Sequence, residues 1–224
     1  MSIQNISFLG AGSIAEAIIG GLLHANVVKG EQITVSNRSN ETRLQELHQK
    51  YGVKGTHNKK ELLTDTNILF LAMKPKDIAE ALIPHATAEH IQTAIALFKT
   101  IGLVSVVEEE DMHAVTALSG SGPAYIYYVV EAMEAAAKKI GLKEDVAKSL
   151  ILQTMIGAAE MLKASEKHPS ILRKEITSPG GTTEAGIEVL QEHKFQQALI
   201  SCITQAAQRS HNLGKTLEQL TKEK

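Results

Sequence analysis

The chain has 224 residues, of which 23 are basic and 25 acidic, so its net charge is close to zero. This balance argues against a nucleic-acid or membrane-surface partner, and the absence of tryptophan argues against base stacking. A single cysteine, Cys202, lies among apolar residues; we expect it to be buried and inert, in the reducing cytoplasm. We expect no secretory signal, because a strand begins within a few residues, and no membrane span.

The first predicted strand, residues 3–9, leads directly into a glycine-rich turn, G-x-G-x-x-A. Gly10 permits a tight turn between strand and helix, and Gly12 has no side chain to hold a pyrophosphate away from the backbone. Ala15 allows the following helix, predicted over residues 16–25, to pack closely on the strand. The amino end of that helix supplies N–H groups for phosphates, so the turn predicts a dinucleotide site. The alternative is an ordinary tight turn that happens to contain glycine.

The next segments continue to alternate between strand and helix. Strands are predicted over residues 32–36, around Val53 and over residues 67–73, the last as an apolar run buried on both faces. A helix over residues 41–50 separates the first two, with Asn40 or Ser39 as its cap. Strands joined by crossover helices predict an α/β fold with a Rossmann-like, doubly wound parallel sheet.

The loop after the second strand should select the cofactor. A site for NAD would carry Asp or Glu here, but this chain has Asn37, Arg38 and Ser39. Arg38 and the neighbouring donors suit a 2′-phosphate, so the loop favours NADP, with NADPH preferred and NADH possible. The alternative is a surface arginine in a polar loop. Ala72, Met73, Lys74 and Pro75 end the strand over residues 67–73, where open sheets bind ligands; a plain Lys-Pro helix start is equally compatible with them.

The second part of the chain changes character. After a predicted strand over residues 103–107 and an acidic run, helices are predicted over residues 124–140, 143–163 and 195–213. The first of these is apolar nearly all round, which requires burial and favours a dimer core over a monomeric bundle. We therefore predict two domains: an NADP-binding domain over residues 1–111, and an all-helical dimerisation and substrate-binding domain over residues 112–224.

Two glycines and several hydroxyls lie just before a predicted helix over residues 184–191. The two glycines, Gly180 and Gly181, are followed directly by Thr182 and Thr183. Because glycine has no side chain, the backbone N–H groups here are open to a small anion such as a substrate carboxylate. The Thr183 hydroxyl can donate to a substrate nitrogen or oxygen. The alternative is a loop that only caps the helix. The nine histidines show no metal-binding spacing, so no metal is expected.

Taken together, these motifs resemble the pyrroline-5-carboxylate reductase family. The order is that of the family: the glycine turn, Asn37-Arg38-Ser39, His57-Asn58-Lys59, Ala72 to Pro75, the block over residues 114–125, and Ser178-Pro179-Gly180-Gly181-Thr182-Thr183. The resemblance implies NADPH-dependent reduction of Δ1-pyrroline-5-carboxylate to L-proline, the last step of proline biosynthesis, in a homodimer or larger homo-oligomer.

The resemblance also assigns residues to roles. Thr183 would be the catalytic residue, hydrogen-bonded to the imine nitrogen. The substrate would contact Glu166, Ser178, Gly180, Gly181, Thr182 and Thr183. The cofactor would contact Leu9, Gly10, Ala11, Gly12, Ser13, Ile14, Asn37, Arg38, Ser39, Asn58, Ala72, Met73, Lys74 and Pro75.

The chain departs from the family after Ile83. A strand–helix–strand segment that carries a loop beside the nicotinamide is missing near residues 83–85. Either the natural molecule contains this segment and the present sequence omits it, or the deletion is real. The clean match of both flanks favours the first explanation. A real deletion would leave the nicotinamide subsite incomplete, and a nucleotide-binding paralogue without turnover is the alternative function. A reductase acting on β-hydroxyacids is a further alternative, but its catalytic lysine pattern is absent.

Overall fold

The computed structural model describes residues 5–72 and 87–222, with side chains described up to residue 216. Residues 73–86, which include Met73, Lys74, Pro75 and the predicted junction, lie outside the described residues. The chain divides into two compact units. The nucleotide unit comprises residues 1–106 and 216–224, and the helical unit comprises residues 107–215. This division concerns compactness alone, so the domain boundary after residue 111 stays a prediction.

The described residues of the nucleotide unit form a four-stranded parallel sheet. In chain order its strands are β1 (Ile6–Leu9), β2 (Ile33–Ser36), β3 (Lys54–Thr56) and β4 (Ile68–Leu71), and their spatial order is β3-β2-β1-β4. Ile6 of β1 pairs with Ile33 of β2 on one side and with Ile68 of β4 on the other. The helices of this unit are α1 (Ser13–His24), α2 (Glu41–Tyr51), α3 (Lys59–Leu63) and α4 (Ala88–Phe98). The predicted α/β, Rossmann-like fold is confirmed.

The core of the nucleotide unit lies around β1 and α1. Its largest fully buried side chains are apolar and come from strands, helices and the connection before β3: Ile6, Phe8, Ile19, Leu22, Ile33, Val35, Leu47, Val53 and Leu62. Phe8 stacks on Phe70 of β4, with ring centroids 4.7 Å apart. Burial of a Leu, Ile or Phe side chain contributes about 1.5–3 kcal/mol, so this cluster holds the sheet together.

The helical unit contains no strand among its described residues. Its helices are α5 (Met112–Val115), α6 (Gly122–Lys139), α7 (Glu144–Ala164), α8 (Pro169–Glu175), α9 (Thr182–Glu192) and α10 (Phe195–Lys222), the last of which ends beyond the unit. One turn of π-helix, Thr116–Gly120, joins α5 to α6, and Pro123 occupies the first turn of α6. The helix predicted over residues 124–140 corresponds to α6. None of the described helices is long and apolar enough to cross a membrane.

Three predictions about burial and pairing are wrong. Residues 103–107 form no strand: Leu103 is 97% exposed, and no described strand lies beside this segment to share its hydrogen bonds. Strand β4 is half-buried rather than buried on both faces, because the described residues leave the face on which Leu69 lies partly uncovered, and Leu69 is exposed. Cys202 is exposed on α10 rather than buried. Each prediction assumed a packing neighbour that the described chain does not supply.

Candidate functional site

The glycine turn joins β1 to α1 with a backbone that only glycine adopts readily. Gly10 has a φ of 121°, in the region that L side chains rarely enter, and its N–H donates to the Ser36 oxygen at 2.8 Å. Gly12 is the cap of α1, and a Cβ built there meets no atom within 4 Å, so the space in front of this backbone is open. Ala15 is fully buried, as the packing argument predicted.

The amino end of α1 can receive an anion. The first intrahelical bond runs from the Glu16 N–H to the Gly12 oxygen, which leaves the N–H groups of Ser13, Ile14 and Ala15 without a helical acceptor. Ile14 is 72% exposed at this end, an unusual position for a large apolar side chain. Open donors, an uncovered glycine and an exposed apolar side chain fit the pyrophosphate and the body of a dinucleotide.

An ion-pair network that the sequence did not indicate joins α2 to the glycine turn and the first turn of α1. Arg43 of α2 donates its Nε–H to the Ala11 oxygen at 3.0 Å and pairs with the Glu16 carboxylate. Lys50 donates to the other Glu16 oxygen at 2.8 Å. Hydrogen bonds from Arg43 and then Lys50 lower the pKa of Glu16 from 4.5 to about 2. Glu16 is therefore ionised at neutral pH and ties α2 to the glycine turn.

The loop after β2 is closed by Asn37 and Asn40. The Asn37 amide donates to the Asn40 oxygen at 2.7 Å, and its carbonyl oxygen accepts from the Asn40 N–H at 2.9 Å. Asn40 in turn caps α2 by accepting from the Arg43 N–H at 3.0 Å, which confirms one of the two predicted caps. The second N–H of the Asn37 amide has no acceptor among the described residues. Ser39 and Arg38 are exposed, and the Arg38 side chain has no hydrogen bond or ion pair within the described ranges.

The other predicted cofactor residues in the described chain also lie at the carboxyl ends of strands. Asn58 follows β3 and caps α3, accepting from the Lys60 N–H at 2.9 Å. Ala72 follows β4, and its N–H donates to the Leu9 oxygen at 2.9 Å, which places it beside the end of β1. Parallel strands bring their carboxyl ends to one edge of the sheet, and ligands bind there in open α/β folds. The structure thus gathers Leu9, Ala72 and the glycine turn at one edge.

The predicted substrate residues lie in the helical unit, around the start of α9. Gly180 has a φ of 72°, and its N–H donates to the Glu184 carboxylate at 2.7 Å. The Gly181 N–H donates to the Ser178 oxygen at 3.0 Å. The N–H groups of Thr182, Thr183 and Glu184 have no intrahelical acceptor, because the first such bond comes from Ala185.

This helix end can hold a small carboxylate beside a hydroxyl. The three open N–H groups and the positive end of the helix attract an anion, and the half-buried Thr183 side chain lies in the same turn. The Gly180 N–H already donates to the Glu184 carboxylate, so a substrate carboxylate would have to displace Glu184 to reach this donor. The sequence did not indicate this contact. Glu166 is exposed between α7 and α8.

Two family models match this chain, one in each of its two parts. A family model described as NADP oxidoreductase, coenzyme F420-dependent, matches residues 5–97. A second, described as pyrroline-5-carboxylate reductase dimerisation, matches residues 109–213. Among solved structures, the pyrroline carboxylate reductase of Plasmodium falciparum with NADP bound covers 96% of this chain and 99% of its own, with a TM-score of 0.85 at 22% identity. The match to the pyrroline-5-carboxylate reductase of Coxiella burnetii covers 94% of this chain and 98% of that one, with a TM-score of 0.77 at 29% identity.

Two relatives from Bacillus subtilis extend the match along the sequence. Pyrroline-5-carboxylate reductase 2 is 42% identical and covers 92% of this chain and 94% of its own. Pyrroline-5-carboxylate reductase 1 is 34% identical, and its alignment covers 96% of this chain and 91% of the relative. The alignment with reductase 2 has 261 positions, but 92% of this chain is only about 206 residues. At about 55 positions, therefore, the relative has a residue and this chain has none. That these follow Ile83 stays a prediction. The chain belongs to the pyrroline-5-carboxylate reductase family.

Proposed function

We propose that this chain reduces Δ1-pyrroline-5-carboxylate to L-proline with NADPH, as the last step of proline biosynthesis. The observation that carries the proposal is the start of α9, where three open N–H groups and the Thr183 hydroxyl suit a ring that bears a carboxylate next to an imine nitrogen. The names of the relatives agree with this chemistry. No comparison supports the alternative of a paralogue without turnover.

The residues of the helical unit bind the substrate and orient its imine nitrogen. NADPH, when bound at the glycine turn, supplies the hydride that reduces the imine carbon. The N–H groups of Thr182, Thr183 and Glu184 hold the substrate carboxylate, and Ser178 and Gly181 shape the loop around it. The Thr183 hydroxyl donates a hydrogen bond to the imine nitrogen, and this nitrogen takes one proton from water as hydride addition to the carbon turns C=N into C–N. Most of the acceleration then comes from orientation, because a cyclic imine is itself basic and needs no strong acid.

The helical unit supports a homo-oligomer, and we take it to be a homodimer. Large apolar side chains of α6 and α7 are exposed in the single chain, among them Tyr127, Tyr128 and Leu152. A patch of this kind on a folded chain is typical of an interface between subunits. The match to the dimerisation model covers these helices. The cytoplasm is the compartment we expect, because a chain with one cysteine needs no oxidising environment.

The test is turnover by protein of known mass. The intact mass of the purified natural protein is measured first and compared with 24.2 kDa. The protein is then mixed with NADPH and pyrroline-5-carboxylate, and NADPH oxidation and proline formation are both measured. Equal amounts of NADP and proline support the proposal. Binding of NADPH without proline formation contradicts it and favours the paralogue, while a mass well above 24.2 kDa shows that the natural molecule contains the segment missing after Ile83.

A further inference from the structure

His57 lies between two hydrogen-bond acceptors next to the loop that selects the cofactor. Its Nδ1 is 3.0 Å from the Asn37 backbone oxygen, and its Nε2 is 2.9 Å from a carboxylate oxygen of Glu41. A backbone oxygen and an ionised carboxylate only accept hydrogen bonds. A neutral imidazole has one N–H, so both contacts are satisfied only when His57 carries two protons and a positive charge.

The surroundings favour this charged form. The hydrogen bond to the Asn37 oxygen, followed by that to Glu41, raises the pKa of His57 above its ordinary value of 6.5. Glu41 is the charged side chain in contact with the imidazole within the described ranges. Other charged or titratable groups lie on the elements around it: Arg38 in the loop, Arg43, Glu46, His48, Lys50 and Tyr51 on α2, Lys54 on β3, and Lys59, Lys60 and Glu61 on α3.

The proton on His57 decides the charge beside the loop. Glu41 is the first residue of α2, four positions after Asn37, and a carboxylate near the end of β2 is the feature that rejects a 2′-phosphate in NAD sites. With His57 protonated, the pair of side chains is neutral, and the Arg38 cation has no ion-pair partner among the residues that the structure describes. Without that proton the pair carries one negative charge, which opposes the phosphate.

We propose that His57 is a specificity-determining residue: its protonated imidazole masks the Glu41 carboxylate and so favours a nicotinamide dinucleotide that carries a 2′-phosphate. The inference rests on the proposed function for the cofactor, but not on turnover. As the pH rises and His57 loses its second proton, the preference for NADPH over NADH declines. NADH has no 2′-phosphate, so its affinity serves as the internal reference.

The experiment measures the dissociation constants of NADPH and NADH by nicotinamide fluorescence, at fixed ionic strength from pH 6.5 to 9. This range stays above the second ionisation of a phosphate monoester, near pH 6. For the unmodified chain, the ratio of the NADH constant to the NADPH constant falls about threefold to tenfold across the range, as expected for removal of one nearby charge at the surface. In His57→Gln the ratio is low and independent of pH.

Two further variants separate charge masking from a structural role. Glu41→Gln removes the carboxylate, so the ratio is higher than in the unmodified chain, most of all near pH 9, where the unmasked Glu41 charge opposes the phosphate. The fall of the ratio also shifts to lower pH, because one of the two hydrogen bonds that raise the pKa of His57 is gone, a result that a merely structural histidine would not produce. Glu46→Gln removes a carboxylate from the same helix that pairs with Arg43 instead, and it keeps the pH dependence of the unmodified chain.

The outcomes distinguish this inference from the function on which it rests. NADPH binding with a ratio that does not change with pH overturns the role of His57 alone. The same holds if His57→Gln retains the original pH dependence. A chain that binds neither dinucleotide overturns the role of His57 together with the proposed cofactor.

Discussion

The two units of the chain bury apolar side chains to very different degrees. In the nucleotide unit the sheet and its helices enclose a cluster of fully buried residues around Phe8 and Ile19. In the helical unit, the described side chains that are buried are Ala117, Ala137, Ala147 and Ile151, and most are small. The nucleotide unit therefore has a core of its own, whereas the longest helices of the helical unit present apolar faces that need a partner.

The largest expected effect comes from removing a ring from the nucleotide core. Phe8→Ala should lower the free energy of unfolding by about 3–5 kcal/mol, because it removes a fully buried ring and leaves a cavity beside Phe70. Urea unfolding followed by circular dichroism measures the change. Phe98→Ala removes a partly exposed ring that meets Phe70 edge-on, and it should cost much less. Equal losses would show that the core is not centred on β1.

The next effect tests whether the helical unit needs a second copy. Leu152 on α7 is 61% exposed, and Leu152→Asp should weaken self-association about 100-fold or more, because a subunit interface would bury the new charge. Sedimentation across a range of concentrations measures the dissociation constant. Leu63→Asp is the matched control, since Leu63 is 55% exposed but lies in the nucleotide unit. A Leu152→Asp variant that associates like the control would contradict an interface on α7.

These contrasts also explain which predictions from sequence succeed. The glycine turn and the start of α9 depend on neighbours within a few residues, and each of the four strands is recognisable from its own short run of residues; the structure has all of them close to where they are predicted. The segment over residues 103–107 and Cys202 were assigned burial from their apolar surroundings in sequence. Burial depends on which other elements are present, and local apolarity does not report that.

The same reasoning separates the parts of the candidate site. Gly10 and Gly12 are recognisable because their role follows from backbone geometry at one turn. The contact of Arg43 with Glu16 joins residues 27 positions apart, and that of His57 with Glu41 joins residues 16 apart. Charged residues at such separations have no sequence pattern of their own. Only the packing of α2 on the sheet brings them together.

A smaller effect is expected on catalysis in the helical unit. Thr183→Val should lower kcat about 10- to 100-fold, because the imine nitrogen loses its hydrogen-bond partner in the transition state. The KM for NADPH should not change. Thr177→Val is the control, since that hydroxyl donates to the Arg173 oxygen at 2.6 Å and is occupied within the chain. If both variants lose the same activity, the effect is structural and Thr183 is not catalytic.

The smallest effect concerns acid stability in the nucleotide unit. The pKa of Glu16 is about 2 in the folded chain against an ordinary 4.5, so its carboxylate stabilises the fold above pH 4.5 and loses this contribution as the pH falls towards 2. In Glu16→Gln the Tm should be lower at pH 7 and should fall less between pH 4.5 and 2.5. Thermal melts followed by circular dichroism measure both. Glu46→Gln also removes a carboxylate partner of Arg43 but should keep the original acid dependence. Parallel curves for Glu16→Gln and the unmodified chain would show that the tie between α2 and the glycine turn contributes nothing to stability, and the nucleotide unit would then depend on its apolar core alone.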